Sequence, residues 1–106
     1  VIDITPQELT LVQDILRAQI PTAQVWVFGS RAKGTTRRGS DLDLAIDAKR
    51  KLTASETSVL AEAFDEAPLP YRVDLVDTHG ISATFKAIIE RDRVGLPGFM
   101  DVATLP

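Results

Sequence analysis

The sequence predicts an α/β (α+β) domain, a small mixed β-sheet with helices packed mainly on one face. Three short segments of strand character alternate with three segments of helical periodicity, and Pro or Gly punctuates most of the boundaries. The chain of 106 residues has the length of one ordinary domain, so 1–106 is read as a single unit with one core.

The first helix is announced by Thr5-Pro6-Gln7-Glu8, where Thr5 can cap, Pro6 suits the first helical position and Glu8 completes a capping box. Leu9, Val12, Leu16 and Ile20 then recur at helical spacing, so the helix is expected over 6–20, with Pro21 ending it. Val25-Trp26-Val27-Phe28 is a wholly apolar run closed by Gly29 and reads as a strand buried on both faces. In 41–47 the alternation is strict: Leu42, Leu44 and Ile46 point one way, Asp41, Asp43, Ala45 and Asp47 the other. One face of this strand belongs to the core and the other carries carboxylates.

Thr53-x-x-Glu56 is a second capping box, and Val59, Leu60, Ala63, Phe64 and Ala67 continue at helical spacing until Pro68. A third strand is expected over 71–77, with Val73 and Leu75 on one face and Asp74 and Val76 on the other. A further helix starts near Ser82, carries Phe85, Ile88 and Ile89, and ends around Gly95. Residues 95–106 read as irregular or as an edge strand.

Composition narrows the chemistry. With 44% hydrophobic and 25% charged residues the chain is of ordinary globular type, and no apolar run approaches the ~18 residues of a membrane span. No signal pattern opens the sequence, so a cytoplasmic protein without membrane contact is expected. There is no cysteine and one histidine, which removes thiolate catalysis and Cys- or His-rich metal sites and leaves carboxylates as metal ligands. The net charge of −3 argues against a nucleic-acid-coating protein, and no direct nucleic-acid binding is expected. Yet seven of the twelve Lys and Arg residues fall between Arg31 and Lys51, enough for a local anion site.

Asp41, Asp43 and Asp74 form the informative constellation. Alternate residues on a strand share a face at ~6.6 Å and a neighbouring strand lies ~4.8 Å away, so the three converge if their strands are adjacent. Magnesium takes hard oxygen ligands and is held through a few carboxylates together with substrate phosphates. A pair of such ions, ~3.5 to 4 Å apart, suits phosphoryl and nucleotidyl transfer, and one carboxylate can serve as general base. Beside the aspartates lies GSRAKGTTRRGS, with flexible glycines and many donors, which is neither a Walker loop nor a dinucleotide fingerprint. A short helix starting after Ser30 would turn its free amides toward an anion there.

The run GSRAKGTTRRGSDLDLAID, preceded by an apolar strand and followed by VDLVD, resembles the minimal nucleotidyltransferases of the DNA polymerase beta superfamily. Their signature is G-S-x-A-x-G, a spacer, S-D-x-D, and a later aspartate on another strand. The resemblance implies a polymerase-beta-like nucleotidyltransferase fold. It implies that Gly29 and Ser30, with Arg31 and Ser40, bind nucleotide, that Asp41 and Asp43 hold magnesium, and that Asp74 completes the metal site and helps activate an acceptor hydroxyl. Lys33 lies near enough in sequence to screen triphosphate charge, Arg37 and Arg38 suit steering, Lys49-Arg50-Lys51 reads as a surface turn, and His79 as a loop residue. Asp47 and Asp77 are assigned to solvent or capping.

The same resemblance implies a companion: a small helical protein of the HEPN type, encoded nearby, with AMP from ATP or another nucleoside triphosphate moved onto it as the antitoxin half of a toxin–antitoxin pair. Two other readings remain open on the residues. One is a catalytically silent nucleotide-binding module that neutralises its partner by complex formation, and the other is a small-molecule nucleotidyltransferase.

Overall fold

Thr5 opens α1 (Pro6–Gln19) through a reciprocal cap, its hydroxyl accepting from the Glu8 amide at 3.1 Å while Glu8 Oε1 accepts from the Thr5 amide at 3.0 Å. The computed structural model describes residues 2–37 and 39–100, in which α1 is followed by β1 (Gln24–Phe28), α2 (Ser30–Lys33), β2 (Leu42–Asp47), α3 (Ala54–Glu66), β3 (Val73–Asp77), α4 (Ala83–Asp92) and β4 (Val94–Gly95). Thr53 and Glu56 cap α3 in the same reciprocal way, and the Ser82 hydroxyl accepts from the Phe85 amide to start α4. Among the described residues no helix is long and apolar enough to cross a membrane.

The sheet has the order β3-β2-β1-β4, mixed in direction. β1 runs antiparallel to both β2 and β4, whereas β3 lies parallel to β2. A parallel neighbour cannot be reached by a tight turn, and α3 supplies the crossover between β2 and β3. The register sets Phe28 opposite Asp43 and Asp43 opposite Asp74, so three strands contribute one row across the sheet.

One face of the sheet makes the core. Val25, Val27, Leu42, Leu44 and Ile46 are fully buried there together with Val12 and Leu16 of α1 and Leu60 of α3. Each such side chain contributes on the order of 1.5 to 3 kcal/mol relative to exposure, which is why the alternation of β2 is so strictly kept. Leu96 and Phe99, beyond β4, close the same core.

The structure corrects two expectations. β1 is not buried on both faces: Val25 and Val27 are buried, but Trp26 and Phe28, pointing the other way, are half-buried. α4 covers that second face only in part, Phe85 meeting the Phe28 ring edge-on at 6.2 Å between centroids and the Arg93 guanidinium lying 4.2 Å from the Trp26 ring centre. The last helix ends at Asp92 rather than near Gly95, because Val94–Gly95 is taken up as the edge strand β4 beside β1. Of the expectation for 95–106, the edge-strand alternative holds for Gly95 and the irregular one for 96–100, and residues 101–106 lie outside the described part, as does Arg38.

Candidate nucleotidyl-transfer site

The face of the sheet opposite the core carries the acids. Asp43 and Asp74 are register partners on β2 and β3, and their carboxyl groups stand within hydrogen-bonding reach. Asp41 precedes the first residue of β2 and is close enough for its charge to be felt at Asp43. Burial, then the charges of Asp74 and Asp41, then the hydrogen bond that protonated Asp43 donates to Asp74 push the Asp43 carboxyl up from 3.8 to about 6. Ionised Asp43 is therefore held at a cost beside its neighbours, a cost that a proton relieves below about pH 6 and that a cation would relieve above it.

Gly29 sets the other wall. Its backbone, at φ 72° and ψ −155°, lies where residues with a Cβ are strained, and a Cβ built there would run into Asp43 Oδ2. Only glycine lets the turn pass this close to the carboxylate. The turn leads directly into α2, with the Ala32 and Lys33 amides both donating to the Gly29 carbonyl at 3.1 Å. The loop then folds back, the Thr35 amide and the Thr36 hydroxyl donating to the Ser30 carbonyl at 3.1 and 3.3 Å. Gly29 and Ser30 thus stand at the end of β1, beside the row that holds Asp43 and Asp74.

Arg31 departs from its expected place. Instead of extending toward a nucleotide it is buried, at 9% exposure, with Nη2 and Nε donating to the Ser40 carbonyl at 2.8 and 3.3 Å and Nη1 donating to the Asp3 carbonyl at 2.8 Å. Its guanidinium lies over the Tyr71 ring, 3.9 Å from the centre. Those bonds commit three N–H groups of a rigid fork to main-chain oxygens, which is why it turns inward. Ser40 is also engaged locally: its hydroxyl accepts from the Arg37 amide at 2.9 Å, and its own amide donates to the Arg37 carbonyl at 2.9 Å. Lys33 leans toward Asp92 of α4 at 3.6 Å, while Arg37 is exposed.

At the end of β3, Asp77 serves as a cap, accepting from the His79 and Leu52 amides at 2.9 and 2.7 Å. His79 is not a solitary loop residue: its Nε2 lies 2.7 Å from Asp47 Oδ1. Burial alone would raise the Asp47 pKa, but the hydrogen bonds from His79 and from the Lys49 amide outweigh it and lower the value. Neither this pairing nor the Arg31–Tyr71 stack has a local sequence signal, since the partners are 32 and 40 positions apart.

Among the described residues no three acidic or imidazole side chains close into a ready cage around one ion. That agrees with the donor set. Two adjoining carboxylates with a third beside them fit a hard, hydrated cation such as magnesium, which is held by one or two carboxylates, waters and substrate phosphates. A cleft of about 640 Å³ opens between Glu8, Arg31, Arg37 and Tyr71, and none of the three aspartates lines it.

Comparison with known proteins points the same way. Residues 11–95 match the family described as polymerase beta, nucleotidyltransferase. Over 90 residues the chain is 44% identical to the probable protein adenylyltransferase MntA of Haemophilus influenzae, spanning 85% of this chain and 79% of that protein. A crystal structure of a toxin–antitoxin with AMP-PNP superposes with a TM-score of 0.72 at 30% identity, covering 83% of this chain and 71% of that one. The fold recurs, at a TM-score of 0.61 and 24% identity over 83% of this chain and 71% of that one, in a Shewanella oneidensis complex of an MNT antitoxin with a tri-AMPylated HEPN toxin.

Proposed function

This chain belongs to the polymerase beta nucleotidyltransferase family, and from that premise we propose that it is a protein adenylyltransferase acting as an antitoxin on a small helical partner of the HEPN type. The reading treats 1–106 as one catalytic domain working in the cytoplasm, with ATP as donor and a hydroxyl of the partner as acceptor. The observation that carries it is the Asp43–Asp74 pair, packed against a turn that only Gly29 can make. The likeness to an adenylyltransferase at 44% identity and to a toxin–antitoxin crystallised with AMP-PNP supports the choice of donor and partner class.

In the proposed reaction the acceptor oxygen attacks the α-phosphorus of ATP, a new P–O bond forms, and the bond to the departing pyrophosphate breaks. Gly29 and Ser30 hold the phosphates beside the acids. Asp74 accepts a hydrogen bond from the attacking hydroxyl, orients it in line, and takes up its proton as the new bond forms. Asp41 and Asp43, with Asp74, would hold a pair of magnesium ions, which would supply positive charge to the triphosphate and to the leaving pyrophosphate.

The test is transfer of label from α-labelled ATP to the co-purified helical partner in the presence of magnesium. Labelled partner with the native chain and none with Asp43→Asn is the expected outcome. Partner neutralised equally by both chains, with no label on it, would instead favour the silent binding module.

A further inference from the structure

We infer that Arg31 is a positioning residue, which sets the aspartate-bearing segment against the Gly29–Ser30 turn without touching the nucleotide. The inference rests on the adenylyl-transfer reading and assigns a task inside that site. Arg31 sits in the first turn of α2, directly after Gly29 and Ser30. From there its guanidinium reaches the carbonyl of Ser40, the residue immediately before Asp41, through two N–H groups at 2.8 and 3.3 Å. One side chain therefore spans the two ends of the loop, tying the proposed phosphate-binding turn to the acids.

Five further contacts brace this tie. Nη1 donates to the Asp3 carbonyl at 2.8 Å and the Asp3 amide returns a bond to the Arg31 carbonyl at 2.9 Å, so the strap before α1 is locked to α2. The guanidinium lies over the Tyr71 ring, and the Tyr71 hydroxyl donates to Glu8 Oε1 at 3.1 Å, anchoring the ring to the capped end of α1. Tyr71 in turn leads into β3, and the Leu42 amide donates to the Arg72 carbonyl at 2.9 Å just before the Asp43–Asp74 pair. The loop between α2 and β2 has two glycines, Gly34 and Gly39, both with positive φ, so it would wander without such a clamp. A lysine in this place keeps the charge but loses the planar fork that binds one carbonyl twice while stacking on a ring.

Arg31→Lys and, as a second variant, Tyr71→Leu test the assignment by two readouts. In amide hydrogen exchange of the native chain and both variants, without nucleotide, faster exchange of about tenfold or more is expected for residues 40–43, with the core amides of α1 and α3 unchanged within about twofold. In label transfer at saturating ATP, measured at a temperature where each variant is fully folded, kcat should fall about ten- to a hundredfold with the KM for ATP held within about twofold. Unchanged exchange at 40–43 overturns the inference whether or not the chain is active. A raised KM at constant kcat overturns it in favour of a direct phosphate contact, and kcat restored in full by cooling reduces Arg31 to a folding role. Absence of transfer by the native chain counts against the adenylyl-transfer reading alone, because the exchange readout still decides the clamp.

Discussion

Asp43 and Asp74 face one another across the parallel pair β2–β3, close enough for one proton to be held between their carboxyl groups. Neighbouring strands normally avoid like charges in register, since they repel at short range. Keeping them together is a standing cost in the free protein that a bound cation removes. Several outcomes depend on that relationship.

Asp43→Asn should abolish transfer while raising thermal stability at neutral pH. The Asp43 carboxyl titrates at about 6 in the folded chain against 3.8 ordinarily, so the folded state binds its proton more tightly. Its favourable contribution is complete below about pH 4 and is lost as the pH rises through about 6. Calorimetry of metal-free protein should therefore show the variant melting above the native chain at pH 7.5 and level with it near pH 4. A lower melting temperature for the variant at pH 7.5 would contradict the electrostatic picture.

Magnesium demand should rise in acid. Because protons and the cation compete for the same carboxyl, the magnesium concentration giving half-maximal transfer should increase between pH 7.5 and pH 5.5. Titrations at fixed ATP give this directly, and a midpoint independent of pH would argue that Asp43 is no ligand.

Gly29→Ala should damage both fold and activity. Positive φ alone costs on the order of 1 kcal/mol, and the added methyl meets Asp43 Oδ2. In the double variant Gly29→Ala with Asp43→Ala the steric part should be relieved, so that stability recovers partly in urea unfolding while transfer stays absent.

Leu44→Ala, one residue along from Asp43, should act in the opposite sense to Asp43→Asn. Leu44 is fully buried on the core face, and the cavity should cost about 2 to 5 kcal/mol. Chemical denaturation of both variants, side by side, reads the two faces of β2 as a loss and a gain.

Much of this was visible in the residues themselves. Leu42, Leu44 and Ile46 alternate with the acids because a strand has period two, and Thr5 with Glu8 and Thr53 with Glu56 satisfy orphan amides through neighbours three positions away. Such local geometry is written in local sequence. Strand order is not, because only the burial of α1 and α3 against a common face decides that β2 lies between β1 and β3. The half-open second face of β1 escaped notice for the same reason: Trp26 and Phe28 look like core residues until Arg93 and Phe85 arrive from α4. The burial of Arg31 is not legible in the sequence because its partners are main-chain oxygens of Asp3 and Ser40, which leave no side-chain signature. His79 met Asp47 only through the β2–β3 register, which no spacing rule supplies.

β3 forms one border of the sheet, with no strand on its outer side among the described residues. An uncovered border of this kind invites a second molecule to add its own strand and begin an aggregate. Here the five-residue strand carries Asp74 on one face and Asp77 on the other, so two copies laid border to border would set like charges near one another on each face. The acid placed for chemistry thereby also discourages self-association, and its removal exposes the protein to both losses at once.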